Sequence, residues 1–376
     1  MPIITSKTMI EPNAYPYGYV LDTPALISPE WIAQLDSPPF EKKITTVLYN
    51  TRTHLEKRIH TLPCQQNNNQ DAQLAPNDEK SYLLLHAGKL RAVTLDDEAK
   101  DVELALGDDI AFVKKIAENK ILTMHHQKSS TASEEKQEKT LFKIHDISDL
   151  SKPQCLKELS APLILKHPLQ IMADKDSVYV TTRFSIYYFN SFTSTDVTHK
   201  DMALAAEEMI SNFVALPNDE FALTTSAGKM YLLNKELTVI NQALLYRTPD
   251  SWPRIRLTLD KQHLIIYNCR ASANGEIQIW DLEKKECVEV TALQRLVNGH
   301  VTACFIESLE IINSNLAFAK LRATSKYDSS YIAFIDLASI QSLKPKVVEA
   351  SQMMFNRGQA TNTPEATIVA TPSTNP

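Results

Sequence analysis

Glycine is scarce in this sequence, with seven residues in a chain of 376, or about 2% against the usual ~7%. No two glycines are closer than nineteen residues. Glycine-rich phosphate loops and the G-x-S-x-G nucleophile turn both need glycines only a few residues apart. The spacing therefore excludes these classes of site, and it leaves Asn, Asp and Ser to form most of the turns.

Paired cysteines and long apolar runs are also missing. The cysteines are odd in number and irregularly spaced, which indicates reduced, mostly buried thiols rather than a disulfide framework or a zinc site. They are Cys64, Cys155, Cys269, Cys287 and Cys304. No segment approaches the ~18 consecutive apolar residues of a membrane span, and the N-terminus lacks the basic start and apolar stretch of a signal peptide. We therefore expect a cytoplasmic protein without membrane insertion.

The chain has no excess of positive charge. Its formal net charge is −6 and its pI is near 6.0, whereas nucleic acids and anionic membranes attract basic surfaces. Only His125 and His126 are adjacent among the histidines. Neighbouring side chains of a strand point to opposite faces, so we interpret this pair as the edge of a solvated loop. We expect no nucleic-acid partner, no bound metal and no cofactor.

What the sequence does contain is a series of short apolar strands that end in turn-forming residues. The clearest is IQIWDLEKKECVEV, residues 277–290, in which Ile277 and Ile279 alternate with polar residues. This alternation predicts a half-buried strand that ends at Trp280-Asp281, followed by a tight turn and a second strand.

Six further strands end in a similar way, mostly at Asn, Asp or Thr, which bond their own backbone and begin turns. The seven anchors are Asn50, Thr94, Asp146, Asn190, Asn234, Asp281 and Asp336. Their spacings are 44, 52, 44, 44, 47 and 55 residues, and a propeller blade of four strands takes ~40–50 residues. The sequence therefore predicts an all-β fold, a seven-bladed β-propeller of four-stranded blades. A two-domain β-rich protein with chance periodicity is the alternative.

The repeats also predict where the domain begins and ends. We assign residues 1–355 to the propeller and 356–376, rich in Thr, Ala and Pro, to a disordered C-terminal tail. Two of the predicted hairpins share Ala-Gly-Lys, at 87–89 and 227–229. Residues 2–10 allow two arrangements: they form the outer strand of the last blade and close the ring, or they are a free arm.

Trp280-Asp281 at the end of one strand and Gly299-His300 before another resemble the repeat signature of WD-repeat β-propellers. The signature is degenerate, because only the sixth repeat has Trp-Asp and only the seventh has Gly-His. The resemblance implies that His300 joins a buried hydrogen-bond network, and that the other blades depend on apolar packing. Members that recruit ubiquitin-ligase adaptors carry a basic residue where this chain has Glu283, so the resemblance does not favour that role.

The predicted connection between blades 5 and 6, ALLYRTPDSWPRIRL at 243–257, is rich in residue types that dominate protein interfaces. The candidate protein-binding residues are Tyr246, Arg247, Trp252, Arg254 and Arg256. Two prolines in this segment would stiffen it and lower the ordering cost of binding. In the alternative interpretation Trp252 packs between two blades and the arginines pair with nearby acids.

We therefore expect a non-catalytic scaffold or adaptor, monomeric on its own, that binds one or more proteins through loops on one propeller face. The Lys-, Asn- and Gln-rich, glycine-poor composition and the polar tail resemble bacterial effectors delivered by type IV secretion, which would act on a host protein in the host cytoplasm. The competing hypothesis is a metal-dependent hydrolase or lactonase in the central channel, with Asp109, Asp260 and Glu307 as the available acids.

Overall fold

The structure is a computed structural model that describes residues 3–4, 9–10, 25–36, 43–53, 55–63, 72–96, 100–107, 109–127, 139–161, 170–191, 193–247, 251–269, 276–292, 294–297, 300–323 and 330–337. Within these ranges the secondary structure is almost entirely β. They contain no helix that is both long and apolar enough to cross a membrane. The tail expected at 356–376 lies outside them, so its disorder stays a prediction.

The described residues form thirty strands, which build seven sheets. Two short strands near the N-terminus are β1 (Ile3–Ile4) and β2 (Met9–Ile10). Blades 1 to 3 consist of β3 (Ala25–Ser28), β4 (Trp31–Asp36), β5 (Lys43–Asn50), β6 (Glu56–Pro63); β7 (Gln73–Asp78), β8 (Ser81–His86), β9 (Lys89–Thr94), β10 (Asp101–Glu103); β11 (Ile110–Ala117), β12 (Lys120–Gln127), β13 (Lys139–Asp146), β14 (Gln154–Ala161). Blades 4 to 6 consist of β15 (Gln170–Asp174), β16 (Ser177–Thr181), β17 (Ser185–Asn190), β18 (Thr198–Asp201); β19 (Ile210–Ala215), β20 (Phe221–Thr225), β21 (Lys229–Leu233), β22 (Val239–Leu244); β23 (Pro253–Leu257), β24 (His263–Asn268), β25 (Glu276–Asp281), β26 (Glu286–Ala292). The last sheet adds β27 (Gln294–Val297), β28 (His300–Asn313), β29 (Leu316–Ala323) and β30 (Ser330–Asp336).

The sheets are arranged as a closed ring. In blades 1 to 6 four antiparallel strands follow one another in chain order. The first strand of each blade contacts the first strand of the next, and β28 of the last sheet contacts β3 of the first. The predicted all-β, seven-bladed propeller is therefore confirmed.

The third strand of each blade ends at a predicted anchor or, in blade 5, one residue before it. In blades 1 to 6 the anchor side chain bonds the turn that follows, as its residue type predicts. Asn50 Oδ1, for example, accepts the amide of Thr53 at 2.9 Å, and Asp281 Oδ1 accepts the amide of Lys284 at 2.9 Å. These bonds fix the start of the fourth strand in those blades.

The N-terminal segment closes the ring. β2 pairs antiparallel with β30, with Met9 opposite Ala333 and Ile10 opposite Ile332. β1 pairs in parallel with β27. Of the two arrangements that the sequence allows, the structure thus has the N-terminus as the outer strand of blade 7. Residues 346–350, KVVEA, follow the last anchor, where the sequence also predicts a fourth strand for blade 7, and they lie outside the described residues.

His300 is the first residue of β28, the strand that continues as the inner strand of blade 7 through Ser308 to Asn313. Its backbone pairs with Val297 in the β27–β28 hairpin. The network implied for His300 concerns a side chain outside the described set.

Apolar clusters occupy every junction between neighbouring blades, seven in all. The strand around Trp280 shows the consequence. Trp280 packs toward blade 5, while Ile277 and Ile279 pack toward blade 7. The face of β25 that was expected to be polar and exposed is buried too. Gln278 on this face is 6% exposed, and its Nε2 donates to Leu245 O at 2.8 Å. The prediction of a half-buried strand was wrong, because a blade has a neighbour on each side.

Candidate functional site

The connection between blades 5 and 6 runs from Leu244 to Pro253, over the face of the ring where inner strands begin. We call this the connection face. It carries the connections between blades and the hairpins between the second and third strand of each blade. Residues 245–247 and 251–252 of this connection are described.

Backbone hydrogen bonds hold both ends of this connection. The amides of Leu245 and Tyr246 donate to the carbonyl of Gly228 at 2.7 and 3.1 Å. At the other end the amide of Trp252 donates to Asn268 Oδ1 at 3.1 Å. Because these ends are already ordered, a partner that binds here meets a smaller entropic cost.

Gly228 makes this close approach of the connection possible. Its φ is +72°, and a β-carbon at this position would overlap the carbonyl oxygen of Tyr246. Blade 2 repeats the arrangement, since Gly88 has φ +75° and its carbonyl accepts the amide of Ile110 at 3.1 Å. The Ala-Gly-Lys motif shared by the two hairpins thus lets the next part of the chain pack directly on a turn.

The same hairpin is held on its other side by a buried carboxylate. Glu208, 3% exposed, accepts hydrogen bonds from Thr225 Oγ1, from Lys229 Nζ at 3.1 Å and from Tyr231 OH at 3.1 Å. Burial alone would raise the pKa of Glu208, but the hydrogen bonds from Thr225 and Lys229 outweigh it and lower the pKa. The carboxylate therefore stays charged and fixes the connection from blade 4.

Two of the five predicted binding residues use their side chains inside the propeller. Tyr246 is 6% exposed and packs between blades 5 and 6, and burial raises the pKa of its hydroxyl well above the usual value. Arg256 donates to Leu309 O at 2.9 Å and pairs with Glu310 at 2.8 Å, which joins blade 6 to blade 7. Contact of these two with a partner stays a prediction.

The other three predicted residues reach the surface. Arg247 is exposed, and Trp252 and Arg254 are half-buried. Burial raises the pKa of the Cys269 thiol, and the nearby Arg254 opposes that shift. A half-buried indole can pack against a blade and still offer its remaining surface to a partner, so the partial burial of Trp252 fits both interpretations of this residue.

Phe184, which is not among the residues that the sequence singles out, lies on the connection face in the β16–β17 hairpin of blade 4. It is 52% exposed and is the only aromatic among the exposed large hydrophobic side chains of the described ranges. Thr182 Oγ1 accepts the amides of Phe184 and Ser185 at 3.4 and 3.1 Å, and the amide of Met202 donates to the carbonyl of Phe184 at 3.0 Å. An ordered hairpin thus presents an exposed aromatic ring beside the exposed Arg183.

The acids considered for a channel metal site do not converge. Asp260 accepts the hydroxyl of Thr258, Glu307 pairs with Lys320, and Asp109 is exposed at the start of blade 3. Where the structure describes the chain, no three His, Cys, Asp or Glu side chains group closely enough to hold a metal ion. The channel-hydrolase hypothesis stays a prediction without a supporting geometry.

The interpretation of His125 as part of a solvated loop edge was wrong. His125 lies within β12 and is 8% exposed. Thr123 Oγ1 lies 2.9 Å from Nε2 of His125 and 2.9 Å from Nε2 of His145. The three side chains form a buried polar cluster inside blade 3.

No protein-family model and no curated protein matches this chain. Solved structures do resemble it. The WD40 domain of Pan2 from Neurospora crassa is 11% identical with a TM-score of 0.55, over 89% of this chain and 97% of that one. A chain of the Mitotic Checkpoint Complex is 8% identical (TM-score 0.54, 89% and 91% covered), and the WD40 β-propeller domain of Doa1 is 10% identical (TM-score 0.52, 82% and 90% covered). With the ring described above, these likenesses show that the chain has the fold of WD40 β-propeller domains.

Proposed function

We propose that this protein is a non-catalytic interaction scaffold that binds a partner protein on the connection face of blades 4 to 6. One observation carries the proposal: on that face, hydrogen bonds hold the backbone that bears the exposed aromatic and arginine side chains. Phe184 and Trp252 each lie in a segment whose backbone is hydrogen-bonded to a blade. Aromatic and Arg side chains held in this way are the usual energetic centres of protein interfaces.

The fold supports a role of this kind, because a propeller holds several loops in a fixed relation. One solved chain with this fold is part of a structure described as the Mitotic Checkpoint Complex, so the fold occurs in a protein assembly. A cytoplasmic location and an effector role on a host protein belong to the proposal as well. They rest on the cysteine pattern and on the composition of the tail.

The test is quantitative affinity capture with mass spectrometry, using the whole chain as bait. We expect Trp252→Ala/Arg254→Ala and Phe184→Ala each to reduce recovery of the wild-type partner at least about tenfold, since hot-spot truncations cost ≥ ~2 kcal/mol. Leu156→Ala, at a side chain 49% exposed on the outer strand of blade 3, is the matched control. Unchanged recovery by variants with wild-type circular dichroism would contradict the proposed surface. A stoichiometric metal ion in the purified protein would count against a non-catalytic role.

A further inference from the structure

The outer strand of blade 5, β22, differs from the outer strands of the other five four-stranded blades. Its sequence, VINQAL, has no charged residue. Each of the others has at least two, namely Glu56, Lys57, Arg58 in β6; Asp101, Glu103 in β10; Lys157, Glu158 in β14; Lys200, Asp201 in β18; Glu286, Glu289 in β26. Outer strands expose unpaired backbone groups, and charges on them are a common protection against pairing with another chain. β22 lacks this protection.

Exposed apolar side chains are also concentrated on β22. Val239, Ile240 and Leu244 are 47%, 42% and 38% exposed, and they make up three of the nine exposed large hydrophobic side chains in the described ranges. The inner edge of the strand pairs with β21 from Leu244 opposite Lys229 to Val239 opposite Leu233, with a β-bulge at Ile240. On its outer edge the described part of the chain supplies no strand.

The sequence of β22 is complementary to itself in the antiparallel direction. A two-fold axis between Asn241 and Gln242 sets Val239 opposite Leu244, Ile240 opposite Ala243, and the two amides opposite each other. Aliphatic side chains then face aliphatic ones, and each amide can both donate and accept a hydrogen bond.

The charges just beyond the strand fit the same register. The axis that sets residue 239 opposite 244 also sets Glu236 opposite Arg247, and both are exposed. A second copy of this chain therefore matches the edge in apolar, amide and charged positions alike.

We propose that two copies of this chain associate through their β22 edges in this register. The two four-stranded blades then form one continuous antiparallel sheet about a two-fold axis, an arrangement in which each copy contributes the same surface. A contact confined to one strand edge is small beside a standard interface of ~1,600 Å². We therefore expect a weak dimer, with a dissociation constant of micromolar order, which is monomeric when dilute. This inference does not depend on the proposed partner surface.

Sedimentation velocity of the full chain from about 1 to about 300 µM, a range that brackets micromolar dissociation constants, tests association. We expect the wild type to shift from monomer to dimer. Val239→Lys and, separately, Leu244→Lys should raise the dissociation constant at least tenfold, because a lysine would then face an aliphatic side chain of the other copy. The matched control is Val290→Lys on the outer strand of blade 6, where the wild-type side chain is 50% exposed. If the wild type stays monomeric over the whole concentration range, the proposal is overturned, and a strand of another protein becomes the candidate to pair with this edge. The proposal is also overturned if Val290→Lys weakens association as much as the β22 variants do.

The register has its own test by disulfide crosslinking with a mild thiol oxidant such as diamide. Val239→Cys/Leu244→Cys places a thiol of one copy opposite a thiol of the other at both ends of the pair, so we expect a covalent dimer. Val239→Cys alone places the two new thiols at opposite ends. This variant and the wild type, which has an exposed Cys155, should crosslink no more than background. Equal crosslinking by the single variant would overturn the register.

Discussion

Gly228 combines a left-handed backbone with a close contact, and the two effects can be separated. Its φ is +72°, and a β-carbon would overlap Tyr246, whereas Gly107 has φ +90° with open space around it. We predict that Gly107→Ala lowers the free energy of unfolding by about 1 to 2 kcal/mol, the cost of the backbone conformation. Gly228→Ala should lower it by at least about 2 kcal/mol more, because the connection must move away. Urea unfolding measures both, and equal losses would contradict the role of the contact.

The polar cluster of blade 3 constrains how its imidazoles share protons. Thr123 has one hydroxyl proton but two Nε2 neighbours, so it donates to one imidazole and accepts from the other. The buried Nδ1 of His145 has no hydrogen-bond partner among the described groups. A proton there would be an unpaired donor, so His145 carries its proton on Nε2 and donates to Thr123. Burial, with His125 and Lys143 nearby, lowers the pKa of His145 to about 4.

This lowered pKa predicts acid sensitivity. The ordinary pKa of 6.5 applies to the unfolded chain, so between pH 6.5 and pH 4 unfolding takes up a proton at His145. The contribution of His145 is complete above pH 6.5 and is lost as the pH falls, by about 2 kcal/mol at pH 5. We expect His145→Gln to flatten the dependence of the unfolding free energy on pH between 7 and 5, and Gln154→Ala, at an exposed position of β14 with no ionisable group, to leave it unchanged. An unchanged slope in His145→Gln would contradict the assignment.

At the scale of single residues, the sequence shows which segments hold interface-type residues but not which of their side chains are exposed. Tyr, Trp and Arg singled out the connection between blades 5 and 6 as a candidate binding segment, yet the side chains of Tyr246 and Arg256 are used between blades. Residue type does not tell which side of a short connection meets the next blade. Phe184 was missed because a phenylalanine beside a strand most often belongs to the core. Its place next to Thr182 in a short hairpin was the only signal for exposure.

At the level of strands, the anchors were predictable because each turn depends on a local bond from its own Asn, Asp or Thr. Hydrogen bonds between neighbouring blades could not be predicted from the sequence, because they join residues that are ~40 positions apart. Among the described residues, side chains in one blade accept an amide of the next inner strand in five places, namely Gln73 with Val113, Gln170 with Phe213, Met172 with Ala215, Asn212 with Ile255, and Tyr267 with Leu309. The blades do pack through apolar clusters at every junction, as expected, and these side-chain hydrogen bonds join them in addition.

Asn212 is the best place to test these bonds. It is 3% exposed, donates to Gln170 Oε1 at 2.8 Å and accepts the amide of Ile255 at 2.9 Å, and so links blades 4, 5 and 6. We predict that Asn212→Ala lowers the free energy of unfolding by about 2 to 4 kcal/mol, because it leaves buried polar groups without partners. Gln154→Ala, at an exposed position of β14, should change it by less than ~0.5 kcal/mol. A loss at Asn212 as small as that of the control would show that water replaces the amide.

For the whole molecule, the repeat period established the number of blades, but it did not determine which segment closes the ring. A period describes each blade relative to the next and says nothing about how the last meets the first. Residues 2–10 and 346–350 were both candidates for the outer strand of blade 7. The choice depends on contacts between segments that are more than 300 positions apart, such as Met9 with Ala333, and local pattern carries no information about them.

Deletion from either end tests this closure. Removing residues 1–10 takes away the backbone pairing of β2 with β30 and of β1 with β27, and it exposes two strand edges in the last sheet. At ~1 kcal/mol for each backbone hydrogen bond lost, we expect the free energy of unfolding to fall by about 2 to 4 kcal/mol. Blade 7 should also gain hydrogen exchange before the other blades, because an open ring loses its end blade first. Removing residues 356–376 is the matched deletion, and if that segment is the disordered tail that its composition predicts, stability will be unchanged. Equal stability of both truncated chains would mean that the N-terminal strands do not hold the ring closed.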